Sequence, residues 1–187
     1  MKVYKTLLGI VDKNEKFEGG IRLNSRLITA ADAKAYRNLR LEGLQNNPEA
    51  FGSSFEEEKD YPIEQFADRF ESQGSYTIGV FDHNELVGVA TLVQESKLKL
   101  KHKASIFAVY VSPKKRGLGI GKHLMVEAIN KARELKEVEQ LTLTVVSTNA
   151  SAKGLYSSLG FEVFGTEKRA LKIGQQYFDE DYMVLFL

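Results

Sequence analysis

The stretch from Phe107 to Lys122, FAVYVSPKKRGLGIGK, joins a valine-containing apolar run to a glycine-rich turn. Glycine allows tight backbone turns and lets main-chain N–H groups approach a ligand closely. In a helix that follows the turn, the first N–H groups lack intrahelical partners, and the positive end of the dipole attracts anions. The stretch therefore predicts a cradle for a phosphate or pyrophosphate. A glycine-rich turn that binds no ligand is the alternative interpretation.

Two familiar phosphate-binding motifs do not fit these residues. A P-loop ends in Gly-Lys-Ser/Thr, whereas His123 follows Gly121 and Lys122 here. The third glycine of a dinucleotide-binding fingerprint is also misplaced, and no strand with an acidic residue follows about 20 residues later. Four basic side chains add positive charge at the rim of the predicted cradle: Lys114, Lys115, Arg116 and Lys122.

Hydrophobic periodicity predicts the elements that position this turn. Alternating and β-branched runs predict strands over 76–81, 86–94, 105–111 and 141–145, with two more in the tail, 161–187. Helical spacing predicts helices over 29–46, 62–70, 119–137 and 149–159. Thr29 and Asp32 form a variant of the capping box at the start of the first helix, and Asn149 caps the last one.

The N-terminal residues have the pattern of a local hairpin. Apolar residues occupy much of 3–11, a turn is predicted at 12–15, and two glycines precede a short apolar run that ends at Leu23. We expect residues 1–23 to form a β-ribbon appended to a single domain over 24–187. The apolar content of the ribbon allows it to pack on its own domain or to pair with a second copy in a homodimer.

The composition excludes several classes of protein. With 26 basic and 25 acidic residues, the 187-residue chain has a net charge of +1, which does not favour binding to nucleic acid or to an anionic membrane. The chain has no cysteine, so disulfides, thiolate metal sites and a cysteine-linked intermediate are excluded. Its three histidines lack metal-ligand spacing, and no metal is expected. We find no apolar run of ~18 residues and no signal-peptide cleavage site, and we expect a cytoplasmic protein.

The run Arg116-Gly117-Leu118-Gly119-Ile120-Gly121 resembles the Arg/Gln-x-x-Gly-x-Gly/Ala signature of the GNAT superfamily of N-acetyltransferases. The strand before it, Val109-Tyr110-Val111-Ser112-Pro113, is similar to the segment that precedes the signature in that family. Downstream, Asn149-Ala150-Ser151-Ala152 and the run 155–161 resemble the family's Asn-x-x-Ala…Tyr-x-x-x-Gly-Phe motif. The two blocks have the order and separation of the family, and the resemblance covers about Leu23 to the C-terminus.

The resemblance implies acetyl-CoA as co-substrate and assigns residues to it. Backbone groups of Val109 and Val111 would pair with the pantetheine arm like an added strand. The N–H of Tyr110 or Val111 would polarise the thioester carbonyl. Asn149 and Ala152 would contact the cofactor from the downstream block. The pyrophosphate would be surrounded, beside Arg116, by Gly117, Leu118, Gly119, Ile120, Gly121 and Lys122.

The resemblance also implies a general acid. Tyr156 is the candidate donor to the departing thiolate, because a phenol of pKa near 10 stays protonated at neutral pH. On the residues alone, a core tyrosine beside Leu155 and Leu159 is the alternative.

The general base is open. Many members of the family carry an acid or a histidine in the central strand, where this chain has Ser105. Glu57 and Glu58, which follow the loop 48–52, are the candidates near the expected acceptor groove. A solvated acidic run that caps the next helix is the alternative, and proton loss to water is another.

The resemblance implies an α/β (α+β) fold of the GNAT type, with a mixed, mostly antiparallel sheet flanked by helices on both faces. The cofactor would lie where the strands ending near Val111 and Val146 separate. The expected activity is direct transfer of acetyl from acetyl-CoA to a primary amine in a ternary complex, with a small-molecule acceptor favoured. A protein N-terminus or lysine is the alternative acceptor. An acyl-CoA-binding sensor without turnover is the alternative of another class.

Overall fold

The computed structural model describes the backbone of residues 13–16 and 22–187 and the side chains from Leu23 onward. Within these residues the strands are β1 (Lys13–Lys16), β2 (Arg22–Leu27), β3 (Ser75–Asp82), β4 (Glu85–Gln94), β5 (Lys103–Val111), β6 (Gln140–Val146), β7 (Glu162–Ile173) and β8 (Gln176–Phe186). They form one sheet in the order β1-β2-β3-β4-β5-β6-β8-β7. Neighbouring strands pair antiparallel, except β5 and β6, which run parallel.

The helices of the described chain are α1 (Ala33–Asn46), α2 (Phe55–Glu58), α3 (Ile63–Glu71), α4 (Ile120–Glu134) and α5 (Ala150–Ser158). Three of these five helices, α1, α2 and α5, follow side-chain caps that the sequence supplies. Thr29 and Asp32 form a reciprocal capping box on the 3-10 turn that leads into α1. Ser54 caps α2, and Asn149 caps α5. No helix in the described part of the chain is long and apolar enough to cross a membrane.

Helices cover both faces of the sheet, because the strands alternate apolar residues toward each face. Ala90 and Leu92 of β4 belong to the core beneath α4. Val89 belongs to the opposite core, which α1 and α3 complete with Tyr36 and Phe66. Thr91 therefore points to the α1 face, between the two apolar positions that point to the α4 face.

Strands β5 and β6 separate soon after they meet. Their pairing spans only Lys103 to Ser105 on β5. Farther along β5, Ala108 has a φ of +51°, and the ladder to β4 has an irregularity between Val89 and Thr91. A positive φ is uncommon for a residue with a Cβ, and a bulge of this kind bends its strand. Among the described strands, none therefore pairs with the far half of β5 on the side that faces β6.

The structure confirms the predicted fold class and the predicted helices and strands from Thr29 onward, apart from small shifts at their ends. It adds α2, which the Ser54–Glu57 capping box begins. The turn predicted at 12–15 is wrong over its described part, because Lys13–Lys16 pairs with β2 as a strand. The apolar segment 3–11 lies outside the described residues. The division into a ribbon and a domain stays a prediction, and its boundary falls inside β2, which also pairs with β3.

Candidate active site

The end of β5 presents backbone groups to the gap beside β6. Ser112 N–H donates to Val87 O on β4 at 2.9 Å. Successive residues of a strand point their backbone groups to alternate sides, so those of Val111 point away from β4. The Val111 carbonyl accordingly accepts a hydrogen bond from Arg116 Nε at 3.0 Å. Val109, two residues earlier, has the same orientation, which is the one that strand-like pairing with a ligand requires.

The turn after β5 requires glycine for its backbone conformation. Gly117 and Gly119 both have a φ of +78°, and no described atom lies within 4 Å of a Cβ built on either residue. Gly119 is the N-cap of α4, and no side chain caps this end of the helix. The helical hydrogen bonds start with His123 N–H, which donates to Gly119 O at 3.0 Å. The N–H groups of residues 120–122 therefore have no intrahelical acceptor and are available to an anion.

Two of the predicted rim cations are held by neighbours. Lys115 Nζ pairs with an Asp82 oxygen at 2.6 Å. This hydrogen bond raises the pKa of Lys115 and lowers the pKa of Asp82. Arg116 donates through Nη2 to Asn47 Oδ1 at 2.7 Å, in addition to its bond to Val111. Arg116 therefore ties the turn to β5 and to the segment after α1, while the other two rim lysines are exposed.

A cleft of about 610 Å³ lies where β5 and β6 separate. Val109 lines it from β5, and three predicted residues line it from α5 and its N-cap: Asn149, Ala152 and Tyr156. Arg40 and Arg69 line it from α1 and α3. The cleft thus extends from the α1 face of the sheet to the side chains of α5, and it brings four of the predicted site residues together.

The glycine turn lies next to this cleft. A Cβ built on Gly121 would lie 3.4 Å from Leu155 Cδ2 of α5 and 4.0 Å from Val111 Cγ2 of β5. The uncapped end of α4 is therefore adjacent to the strand and the helix that line the cleft. A ligand with an anion at the turn and an extended arm along β5 would reach the cleft.

Tyr110 does not contribute its side chain to the cleft. The bulge at Ala108 turns this residue toward α1, where its ring is 6% exposed and packs in the core with Val89. Its hydroxyl donates to Glu42 Oε1 at 3.1 Å. By the same alternation the backbone groups of Tyr110 point toward β4, so of the two predicted polarising N–H groups that of Val111 faces the gap.

Tyr156 projects from α5 with its ring buried and 7% exposed. The ring packs against Phe161, with 6.2 Å between centroids. Burial raises the pKa of Tyr156 to about 12. The phenol therefore stays protonated throughout the physiological range. Asn149 Oδ1 fixes the start of the helix by accepting a hydrogen bond from Ala152 N–H at 3.1 Å.

A buried carboxylate anchors α5 to the sheet. Asp181 on β8 pairs with Lys153 of α5 at 2.5 Å. It also accepts hydrogen bonds from Ser147 Oγ and Thr166 Oγ1, both at 2.7 Å. The hydrogen bonds from Lys153, Ser147 and Thr166 lower the pKa of Asp181 to about 2. These contacts join α5 to the end of β6 and to both tail strands, which fixes where Tyr156 enters the cleft.

Glu57 and Glu58, the predicted base candidates, do not line the cleft. The exposed Glu57 carboxylate accepts hydrogen bonds from Ser54 N–H and Ser54 Oγ, which lower its pKa. Burial raises the pKa of Glu58, but the hydrogen bonds and charge of Arg40, with the charge of Arg69, outweigh burial and leave it below its usual value. Glu57 thus caps α2 and Glu58 joins α1 to α3, and their role as bases stays a prediction.

Ser105 also stays outside the cleft lining. Its Oγ forms a hydrogen bond of 2.9 Å with Thr142 Oγ1 across the short parallel pairing of β5 and β6. The strand position where the family often carries an acid therefore joins two strands here.

Sequence reasoning missed Glu180. This residue lies on β8 opposite Val146, and its half-buried carboxylate lines the cleft. Burial and the negative charge of Glu167 raise its pKa. The sequence signal was a run of three acids, 179–181, in a predicted strand, but only the register of β8 against β6 shows which of them faces the cleft.

A family comparison identifies the domain. The family model described as "Acetyltransferase (GNAT) domain" matches residues 26–182. Over 99 residues the chain is 30% identical to the L-amino acid N-acetyltransferase AaaT of Escherichia coli (strain K12). That match covers 53% of this chain and 60% of the relative. The described residues contain no group of three His, Asp or Glu side chains placed to hold a metal ion.

Solved structures share the fold. A probable acetyltransferase from Staphylococcus epidermidis is 28% identical, with a TM-score of 0.74 over 88% of this chain and 98% of that one. A GNAT superfamily phosphinothricin acetyltransferase from Sinorhizobium meliloti, in complex with acetyl-CoA, is 22% identical, with a TM-score of 0.75 over 88% of each chain. The predicted family is confirmed, and the chain belongs to the GNAT superfamily of acetyl-CoA-dependent N-acetyltransferases.

Proposed function

We propose that the chain transfers an acetyl group directly from acetyl-CoA to the primary amine of a small molecule while both are bound. The observation that carries the proposal is the cleft at the separation of β5 and β6, lined by Val109 and Tyr156. A thioester arm that follows β5 from the glycine turn ends in this cleft, close to the phenol. Holding two reactants together supplies much of the rate of such a transfer.

The backbone along the proposed path fits acetyl-CoA. The uncapped end of α4 offers N–H donors and a positive dipole end to the diphosphate. The outward groups of Val109 and Val111 offer strand-like pairing to the pantetheine amides. A carbonyl oxygen has two lone pairs, so Val111 O can accept from a ligand while it accepts from Arg116. A neighbour of the same fold, from Sinorhizobium meliloti, was solved in complex with acetyl-CoA, which supports acetyl-CoA as the ligand.

Tyr156 serves the leaving group as a hydrogen-bond donor. Its pKa of about 12 lies well above the roughly 8.5 of a thiol. Complete proton transfer from this phenol to the thiolate costs about 5 kcal/mol at one tenfold step per 1.36 kcal/mol. A hydrogen bond to the developing thiolate needs no such transfer and stabilises the charge as the C–S bond breaks.

The size and lining of the cleft favour a small acceptor. Its volume of about 610 Å³ is within the range of roughly 300–1,000 Å³ for small-molecule sites. The Escherichia coli relative is an L-amino acid N-acetyltransferase, which supports an amino acid or similar amine. The two arginines in the lining, Arg40 and Arg69, suit an acceptor without surplus positive charge.

The test is CoA release from acetyl-CoA with a panel of amines: amino acids, a polyamine, a peptide with a free N-terminus and a lysine peptide. We expect the largest kcat/KM with a small-molecule amine. Faster turnover of either peptide would show that the acceptor is a protein and not a small molecule. Binding of acetyl-CoA without CoA release from any amine would contradict the enzyme and support a sensor.

A further inference from the structure

One residue of the cleft lining can accept a proton near neutral pH. Among the described residues that line the cleft, Glu180 is the single carboxylate, and none is a histidine. The other polar groups are hydroxyls, amides, two arginines and the phenols of Tyr36 and Tyr156. Hydroxyls and amides do not take up protons at neutral pH, and arginine is already protonated.

The fold commits the acids next to Glu180 to other partners. Asp179 pairs with Lys168 Nζ at 2.8 Å and accepts Arg169 N–H at 2.8 Å. Asp181 holds Lys153. Glu180, whose side chain points to the opposite face of β8, forms no hydrogen bond or ion pair with a residue in the described part of the chain. Its carboxylate therefore performs no visible structural task while it faces the cleft.

We propose that Glu180 is the catalytic residue that accepts the proton from the attacking amine. The inference rests on the proposed function, and it gives the reaction the base that the central strand lacks. The acceptor reacts as its neutral amine: the nitrogen lone pair attacks the thioester carbonyl carbon, the C–N bond forms, and one N–H proton passes to the Glu180 carboxylate. The C–S bond then breaks, and its electron pair leaves with the sulfur beside the Tyr156 hydroxyl. The proton on Glu180 leaves to solvent, and the thiolate takes up one proton to give CoA.

The charges around Glu180 set the pH dependence. Glu167 of β7 repels it, and Tyr182 of β8 donates a hydrogen bond to Glu167. Arg40 and Arg69 line the same cleft from the α1 face. Burial, with this repulsion, raises the pKa of Glu180 above 4.5. Because the base must be ionised, kcat/KM expressed per neutral amine falls as the pH drops through this raised pKa.

The experiment compares pH–rate profiles of three variants with the wild-type chain. Glu180→Gln is expected to lower kcat by about 100-fold or more and to remove the acid limb. Its affinity for acetyl-CoA, measured by calorimetry, stays within about twofold of wild type. Glu167→Gln removes the repelling charge, so the acid limb shifts to lower pH while the plateau is kept. Glu162 is an exposed residue of β7, the strand that carries Glu167. Glu162→Gln is the matched control and leaves the acid limb and the plateau unchanged.

Several results overturn the inference. Glu180→Gln with kcat within threefold of wild type excludes the base, and so does an acid limb that persists in that variant when kcat/KM is expressed per neutral amine. An acid limb that stays at the same pH in Glu167→Gln contradicts the effect of the Glu167 charge on the pKa of Glu180. A Glu180→Gln protein that no longer binds acetyl-CoA points to a structural role instead. The absence of turnover by wild type with every amine contradicts the proposed function itself, which separates that failure from a failure of Glu180 alone.

Discussion

Replacing Tyr156 with phenylalanine removes one hydroxyl and keeps the ring in its packing. The ring is 7% exposed and contacts Phe161, and no described residue shares a hydrogen bond with its hydroxyl. The variant therefore leaves no buried partner unpaired, and the free energy of unfolding should change by less than about 0.5 kcal/mol. A hydrogen bond to a charged group contributes about 1.5–3 kcal/mol. If the hydrogen bond from Tyr156 to the sulfur is lost in the thiolate-like transition state, we expect kcat to fall roughly 10- to 150-fold.

The assay is steady-state CoA release from Tyr156→Phe and wild type between pH 6 and 9, with acetyl-CoA affinity measured separately. Because the pKa of Tyr156 is about 12, the ratio of the two kcat values should be constant over this range. A kcat within twofold of wild type would refute the donor role. A ratio that collapses above pH 8 would show a phenol that ionises in the assay range, against the effect of burial.

Three further predictions follow from the turn, the anchor and the cleft. Gly119→Ala places a Cβ at a φ of +78°, which costs about 1–2 kcal/mol, so chemical denaturation should show a loss of that size and calorimetry a weaker affinity for acetyl-CoA. Asp181→Asn breaks the pair with Lys153, so unfolding free energy should fall by about 1–3 kcal/mol at pH 7. The pKa of Asp181 in the folded protein is lowered to about 2, so its contribution to the free energy of unfolding is present above pH 4 and is lost toward pH 2. The variant should lack this loss of stability in acid. If the variant loses stability in acid as wild type does, other groups cause the loss. Because Arg40 and Arg69 line the cleft, kcat/KM should be higher for amines that carry a carboxylate or no second charge than for a polyamine. A higher kcat/KM for the polyamine would contradict a role of the two arginines in acceptor choice.

The parts of the site that local sequence controls were predictable. Gly117 and Gly119 mark a turn because only glycine adopts their φ values cheaply, and that requirement is visible in the sequence. Asn149 caps α5 through a bond to a residue three positions on, which is again local. The position of Tyr156 follows from the same short motif, so its presence in the cleft could be anticipated.

The proton acceptor was not predictable, because long-range register decides which carboxylates reach the cleft. Glu58 has the sequence surroundings of an exposed acid, yet packing of α1 against α3 buries it between Arg40 and Arg69. Glu180 looks equivalent to its acidic neighbours in the sequence. Its exposure to the cleft depends on the pairing of β8 with β6 and on the separation of β6 from β5.

In the proposed complex, main-chain amides of the turn and of the start of α4 hold the diphosphate of acetyl-CoA. An NMR titration of 15N-labelled protein with acetyl-CoA reads these amides one by one. We predict saturable shifts of the amide signals of residues 117–122, accompanied by those of Val109 and Val111 on β5. Unchanged amide signals at 117–122 with millimolar acetyl-CoA, or shifts confined to other parts of the chain, would contradict binding of the diphosphate by this turn.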